Sequence, residues 1–142
     1  IRKFGNNSNF RLEEGVIIPE KFHNSKCLIS DWSGISLEYA FTFQRPVIFI
    51  DVPKKILNPD FSDISIIPLE TSIREKIGHV IGPEKINKIP DLIKNMQNDD
   101  SIKNKILEIR SKTVYNVGKS AKIGAETIEQ IYNELSNKDT RE

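Results

Sequence analysis

One short segment of the chain combines residue types that suit a phosphorylated ligand. It reads Asp31, Trp32, Ser33 and Gly34, with Glu38 one helical turn further along. A serine hydroxyl can donate a hydrogen bond to a phosphate, and a glycine lets a ligand approach the backbone closely. The Glu38 carboxylate can accept hydrogen bonds from the hydroxyls of a ribose or a polyol. The chemistry that these residues suggest is therefore binding of a sugar or polyol that carries phosphate.

Two apolar runs flank this segment and predict the strands that position it. Residues 27–29 form a compact apolar run, and Val47–Ile50 is a run of four apolar residues, mostly β-branched. Between them, Ile35–Phe43 has apolar residues at helical spacing, and Arg45 with Pro46 stops that helix. Continuous apolar runs are typical of strands covered on both faces, which predicts a parallel βαβ unit.

The site would lie where the first strand ends and the helix begins. In open parallel sheets ligands bind outside the carboxyl ends of the strands, and a helix N-terminus there offers unpaired N–H groups to a phosphate. A simpler interpretation is that Asp31 or Ser33 caps the helix and binds no ligand. The segment has neither the Walker lysine nor a G-x-G-x-x-G run, so a P-loop and a dinucleotide fingerprint are excluded.

Other polar side chains near the two predicted strands have alternative roles. Trp32 could stack on a nucleotide base or cover the end of the sheet. Arg45 could reach a phosphate from the turn before the second strand, or be a solvated cation at the helix end. Asp51, Lys54 and Lys55 follow the second strand, at the edge where ligands bind, and the two lysines could neutralise a diphosphate.

Weaker patterns predict the remaining elements. Residues 10–12 and 16–18 are strand candidates, and residues 19–24 suit one helical turn. Residues 72–77 predict a short helix ended by Gly78, and residues 79–81 an edge strand. From about residue 84 to residue 138, apolar residues recur mostly at three- and four-residue steps, which predicts a helical C-terminal part.

Composition limits the class of protein. The chain has 142 residues, of which 37% are apolar and 29% charged, as in one soluble globular domain. Its 21 basic and 20 acidic residues leave a net charge of +1, which argues against a nucleic-acid partner. The one cysteine, Cys27, is expected to be inert in a buried strand, and with two histidines a metal site is not expected. We also expect no cofactor, and the sequence contains no run approaching the ~20 apolar residues of a transmembrane segment.

Residues 26–51, KCLISDWSGISLEYAFTFQRPVIFID, resemble part of the C-terminal half of the CDP-glycerol glycerophosphotransferase family, the teichoic-acid polymerase-like enzymes. Members of that family carry a strand, then Asp-aromatic-Ser-Ser, then three residues and an acidic residue, followed by a lysine-proline pair and a second strand. Arg45 stands here for the usual lysine, and Gly34 for the second serine, so one hydroxyl near the diphosphate is missing. A weaker similarity continues into the helical end. The positions that match in register are Asp31, Trp32, Ser33, Glu38 and Pro46.

The resemblance implies a GT-B architecture of two Rossmann-like lobes, with the nucleotide-activated donor held mainly by the C-terminal lobe. Family members transfer glycerol phosphate from CDP-glycerol to a growing polymer at the inner face of the cytoplasmic membrane, with histidines as catalytic bases. Residues 1–142 would then be the donor-binding lobe of a longer transferase that is cytoplasmic and peripheral at that face. A polymer or lipid-linked acceptor would bind through the other lobe.

The resemblance leaves the catalytic residues unassigned. The family's histidine in this lobe lies in a loop well before the Asp-aromatic-Ser motif, and neither His23 nor His79 matches it. Both are expected to be surface or packing residues, because neither lies in a motif that supplies a partner carboxylate. The implied donor-site residues are Asp31, Trp32, Ser33, Gly34, Glu38 and Arg45. The chain alone is therefore expected to bind a donor without turning it over.

Two other functions fit parts of the same pattern. A lobe of a UDP-N-acetylglucosamine 2-epimerase-like enzyme, or of another GT-B glycosyltransferase, would carry a similar Asp-Ser-Gly…Glu segment, although Trp32 would be unexpected there. A non-enzymatic Rossmann-like interaction module would share the fold alone. A phosphorylated receiver is disfavoured, because no acidic cluster follows successive strands. The donor-binding lobe, the epimerase-like or glycosyltransferase lobe and the interaction module share one fold class, an α/β protein with a Rossmann-like parallel sheet flanked by helices.

Overall fold

A small parallel sheet lies at the centre of the fold. The computed structural model describes residues 3–14, 19–54, 58–96 and 99–139. The strands are β1 (Leu28–Ser30), β2 (Val47–Ile50) and β3 (Gly78–Ile81), in the order β1-β2-β3. Both pairings are parallel, with Leu28 opposite Val47 and Val47 opposite Gly78.

Helices flank this sheet and make up most of the rest of the described chain. The chain forms two compact units, Ile1–Ile106 and Leu107–Glu142, and the sheet belongs to the first. Short 3-10 helices cover Pro19–Phe22, Pro59–Asp63 and Pro83–Lys88. The α-helices are α1 (Ile35–Phe43), α2 (Leu69–Ser72), α3 (Arg74–Ile77), α4 (Ile89–Met96), α5 (Asp100–Thr113) and α6 (Ser120–Asp139).

The predicted βαβ unit is confirmed by β1, α1 and β2. The helix and the second strand have the predicted bounds, since β2 is an uninterrupted apolar run and α1 presents Ser36, Tyr39 and Ala40 on one buried face. The helix ends at Gln44, which adopts a left-handed φ of 55° and donates its N–H to the Ala40 carbonyl. The fold is thus mixed α/β with a three-stranded parallel sheet, which is compatible with a Rossmann-like arrangement.

The first strand departs from its prediction in two ways. It runs from Leu28 to Ser30, one residue later than predicted, so Cys27 precedes the strand and is only half-buried. Ile29 is 47% exposed, whereas the β2 residues Val47–Phe49 are almost fully buried. The prediction that both strands are covered on both faces is therefore right for β2 and wrong for β1, which has one sheet neighbour among the described strands.

The connection from β2 to β3 ends in two very short helices. The predicted helix at 72–77 is broken at Ile73 into α2 and α3, and Ile73 and Ile77 are both buried. Gly78 ends α3 as predicted, but it also opens β3. A Cβ atom on Gly78 would lie 1.7 Å from the Val47 carbonyl oxygen, so only glycine allows the two strands to approach this closely.

The remaining predictions have mixed outcomes. The helical turn near residue 19 is confirmed by the 3-10 helix there, while residues 10–12 form no strand and residues 16–18 lie outside the described residues. From Pro83 onward the regular elements of the described residues are all helical. No described helix combines the length and the apolar character needed to cross a membrane.

Candidate functional site

The N-terminus of α1 lies at the carboxyl edge of the sheet and has no side-chain cap. Gly34 precedes the helix with helical φ and ψ of −58° and −27°, and no side chain among the described residues caps the helix. The Ser36 N–H donates to the Ser33 carbonyl at 3.1 Å, and the Leu37 N–H donates to the Gly34 carbonyl at 3.0 Å. The hypothesis that the side chain of Asp31 or Ser33 caps the helix is therefore wrong. The backbone N–H groups of Gly34 and Ile35 have no acceptor among the described residues.

Trp32 is fixed over this edge of the sheet by a hydrogen bond and by two cations. Its Nε1 donates to the Val52 carbonyl at 2.8 Å, which ties the turn after β1 to the chain after β2. The guanidinium carbon of Arg74 lies 3.7 Å from the centre of its ring, and Lys54 Nζ lies 5.2 Å from the same point. The half-buried indole thus covers the sheet end and stacks on a guanidinium.

Arg74 is a buried cation that sequence reasoning missed. Its side chain is 7% exposed, and its Nη1 donates to Asp51 Oδ1 at 2.8 Å. Its Nε and Nη2 atoms are buried and have no hydrogen-bond partner among the described residues. One sequence signal could have indicated its burial. Arg74 lies three residues before Ile77 and shares a helix face with it, and a residue at the position of Arg74 on such a face would usually be apolar.

A small cavity lies beside these groups, at the first turn of α1. Its volume is about 10 Å³, which is room for about one water molecule. The Ser36 side chain lines it, and its hydroxyl oxygen is buried without a partner in the described part of the chain. The cavity is lined by Asp31, Trp32, Ser33, Ser36, Leu37, Phe49, Glu70 and Arg74.

The structure brings most of the sequence-predicted residues to this edge. Asp31, Trp32 and Ser33 line the small cavity, and Gly34 is next to them. Glu38 is exposed on α1, and its carboxylate has no hydrogen bond or ion pair within the described ranges. Two residues that follow β2 also reach the site, since Asp51 pairs with Arg74 and Lys54 lies over Trp32, whereas Lys55 is outside the described residues.

Arg45 is the predicted site residue that the structure places elsewhere. It precedes β2, so it lies at the amino edge of the sheet, opposite the start of α1. Its Nη1 donates to the carbonyl oxygens of Phe22, His23 and Ser25 at 3.1, 2.7 and 2.7 Å. Because α1 runs from one edge of the sheet to the other, a residue just after it cannot reach a ligand at its N-terminus. Arg45 instead holds the segment that leads into β1.

The histidines and the cysteine lie outside the small cavity. The His23 ring packs edge-on against Phe43, with ring centres 5.7 Å apart, and His79 lies in β3 opposite Ile48. Burial raises the pKa of the Cys27 thiol above its usual value, which makes a reactive thiolate less accessible at neutral pH. No group of three or more potential metal ligands occurs among the described residues.

A second, larger cavity adjoins Lys54. Its volume is about 320 Å³, within the lower range for small-molecule sites, and its walls are mostly apolar. Lys54 Nζ lies 3.1 Å from the Thr71 hydroxyl there, while the same amine lies over Trp32. The side chain of Lys54 therefore connects the larger cavity with the surroundings of the small one. The other lining residues are Phe61, Ile64, Ser65, Ile66, Ile67 and Pro68.

Comparisons of the chain with protein-family models, with curated proteins and with solved structures find no match. Functional assignment therefore depends on the geometry of the site and on the motif in residues 31–38. The geometry supplies backbone donors, a buried guanidinium and a buried hydroxyl at the carboxyl edge of a parallel sheet. These groups are suited to an oxyanion.

Proposed function

We propose that the chain is the donor-binding lobe of a CDP-glycerol glycerophosphotransferase-like enzyme of GT-B architecture. Such an enzyme transfers glycerol phosphate, or a related polyol or sugar phosphate, from a nucleotide-activated donor to a cell-envelope polymer. The observation that carries this proposal is the uncapped N-terminus of α1 at the carboxyl edge of a parallel sheet. The aligned peptide dipoles place partial positive charge there, and a diphosphate is the ligand that such a terminus suits.

The residues of the motif take distinct parts in this proposal. The Ser33 hydroxyl and the N–H groups of Gly34 and Ile35 donate hydrogen bonds to phosphate oxygens. Glu38, exposed one turn further along, accepts hydrogen bonds from the ribose or from the glycerol hydroxyls. Lys54 neutralises part of the diphosphate charge. Arg45 has no part in the site because of its place at the opposite edge.

Two further side chains of the motif position the ligand site. The Trp32 indole is held by its hydrogen bond to the Val52 carbonyl and by its stack on Arg74, so in this proposal it fixes the turn more than it stacks on a base. The Asp31 carboxylate lies beside the helix N-terminus, where a negative charge is stabilising, and it lines the cavity. In this proposal the Asp31 carboxylate repels the phosphates of the donor, which limits the negative charge that can lie close to the turn.

The proposal assigns binding and not chemistry to this lobe. Neither His23 nor His79 lines the small cavity, so no imidazole is in place to act as a base on a ligand there. A catalytic base and the acceptor site would come from a second lobe, as the resemblance to the family implies. The acceptor, a polymer or a lipid-linked molecule, would reach the donor at the inner face of the cell membrane.

Titration of the isotope-labelled chain with CDP, UDP and ADP tests the proposal, with backbone amide chemical shifts as the measurement. We expect CDP to shift the amide signals of residues 31–38 more than the other nucleotides do. The Ser33→Ala variant should bind CDP about tenfold or more weakly, because it removes a hydrogen bond to a charged group. Ser111→Ala is the matched control, since that hydroxyl is exposed on α5 and bonds to the Glu108 carbonyl.

Three results would count against the proposal. If no nucleotide moves the signals of residues 31–38, the donor-site assignment is wrong. A clear preference for UDP would favour the epimerase-like or glycosyltransferase alternative. Transfer activity of this chain alone would contradict the assignment of catalysis to a second lobe.

A further inference from the structure

Arg74 presents an unused hydrogen-bonding edge to the small cavity. In a guanidinium group, Nε and Nη2 lie on one side and donate in parallel, which matches two oxygens of a phosphate or a carboxylate. In Arg74 both of these atoms are buried and have no partner among the described residues, while Nη1 is already bonded to Asp51. Nε and Nη2 carry three of the five N–H donors of the group, and a buried cation with these donors unpaired is costly. This edge is therefore suited to an acceptor that the described residues do not supply.

The hydroxyl of Ser36 faces the same cavity. The residue is 1% exposed, and its oxygen is buried without a hydrogen-bond partner in the described ranges. Ser36 lies in the first turn of α1, so its hydroxyl approaches the cavity from the helix side. Arg74 approaches it from α3. Donors from two separate elements therefore converge on one small space.

We propose that Arg74 and Ser36 form a phosphoryl-binding site, in which the Nε–Nη2 edge of Arg74 holds two oxygens of one phosphoryl group and the Ser36 hydroxyl donates to that group. This inference rests on the proposed function, because it names the side chains that hold the diphosphate of the donor at that site. The ion pair with Asp51 and the stack on Trp32 hold the guanidinium in place before the ligand arrives.

The carboxylates around the site set a limit on its affinity. Asp31 and Glu70 line the cavity, and Asp51 is already paired with Arg74. Glu70 is exposed and makes no hydrogen bond to Arg74, so its charge repels an incoming phosphate without satisfying the guanidinium. Since the cavity has room for about one water molecule, the side chains that line it must move before a phosphoryl group can enter. Glu70 thus opposes the ligand by its charge.

Binding of inorganic pyrophosphate and of CDP to the whole chain tests the inference, measured by calorimetry and by the fluorescence of Trp32, the one tryptophan. Arg74→Gln should weaken the binding of both ligands by about tenfold or more, because it removes the charge and the paired donors. Arg74→Lys should also weaken it, since an ammonium group cannot donate in parallel from one edge. Glu70→Gln should strengthen it by about two- to fivefold, as expected for removal of one nearby like charge at a partly solvated site. Arg110→Gln, on α5, is the matched control for loss of an arginine.

The outcomes separate this inference from the proposed function. If the unchanged chain binds neither pyrophosphate nor CDP, the proposed function fails and the inference fails with it. If the chain binds CDP but Arg74→Lys and Glu70→Gln bind it as the unchanged chain does, the proposed function stands and the inference is overturned. If Arg74→Gln does not fold, the Ser36→Ala variant decides the question, because the Ser36 hydroxyl has no hydrogen-bond partner among the described residues and its loss should leave the fold intact. Pyrophosphate binding by Ser36→Ala as tight as that of the unchanged chain would then overturn the inference.

Discussion

Replacing Gly78 with alanine should destabilise the sheet severely. Gly78 opens β3 directly opposite Val47 of β2, and a Cβ atom there would lie 1.7 Å from the Val47 carbonyl oxygen and 2.7 Å from its carbonyl carbon. Its φ of 177° is extended and open to any residue, so the expected effect is steric. The obstacle is backbone within a sheet, which cannot rotate aside as a flexible side chain can.

The size of the effect follows from this contact. The distance is about half of an ordinary carbon–oxygen contact, so β3 must move away from β2 by more than the tolerance of a hydrogen bond. Overpacking of a well-packed core typically costs about 1–3 kcal/mol, and each ladder hydrogen bond that is lost adds about 1 kcal/mol. We therefore expect a loss of about 3 kcal/mol or more in the free energy of unfolding. This is a large part of the ~5–15 kcal/mol that typically stabilises a domain.

Urea denaturation followed by circular dichroism and by Trp32 fluorescence measures this change. Gly124→Ala is the matched control, because Gly124 lies within α6 and a Cβ atom there would meet nothing within 4 Å. That variant should be neutral, or more stable by up to about 1 kcal/mol from helix propensity. A Gly78→Ala protein that loses less than about 1 kcal/mol would refute the close approach of β2 and β3. Since α3 runs directly into Gly78, the displacement should also change the Trp32 emission of the folded form, through Arg74.

Two further predictions concern Arg45 and Cys27. Arg45→Met should lower the free energy of unfolding by about 1–3 kcal/mol in urea denaturation, because Nη1 of Arg45 donates to three carbonyl oxygens. The variant should leave the nucleotide-induced amide shifts at residues 31–38 unchanged. A loss of those shifts would contradict the placement of Arg45 at the amino edge of the sheet. Cys27 should react with iodoacetamide more slowly in the folded chain than in denaturant across pH 7–9, because burial raises its pKa from 9.0. The raised pKa of Cys27 also favours the folded state below pH 9, and this contribution to the free energy of unfolding is lost as the pH rises through the folded-state pKa. Labelling of Cys27 at equal rates in the folded and the denatured chain would contradict the raised pKa.

The part of the fold that the sequence predicts well is the part determined by local pattern. The bounds of α1 and β2 follow from a helical repeat, a proline stop and a run of four apolar residues. The exposure of Ile29 could not be predicted in the same way, because it depends on what covers one face of β1, and an apolar run carries no information about that. The break at Ile73 likewise depends on packing against the sheet.

The same distinction applies to the site, where residues in one short segment could be predicted from the sequence and contacts between distant residues could not. The turn at 31–34 is continuous in sequence, and its position at a helix N-terminus was predicted from the two strands. Arg74 was missed because its partners, Asp51 and Trp32, are distant in sequence and meet it only through the sheet. Arg45 was assigned to the phosphate because it stands for the lysine of the motif that residues 26–51 resemble, although the length of α1 carries it to the opposite edge.

The order of the strands also bears on how the chain can reach this fold. Each strand pairs with the next one along the chain, so neither pairing leaves a strand to be inserted later between two others. The entropy lost on closing a loop grows only slowly with its length, and the β1–β2 connection is the shorter of the two. We therefore expect β1, α1 and β2 to assemble first and to provide the edge on which β3 docks. In this sequence of events Arg74 would be buried in the last step, so the anion-binding edge would be completed only when folding is complete.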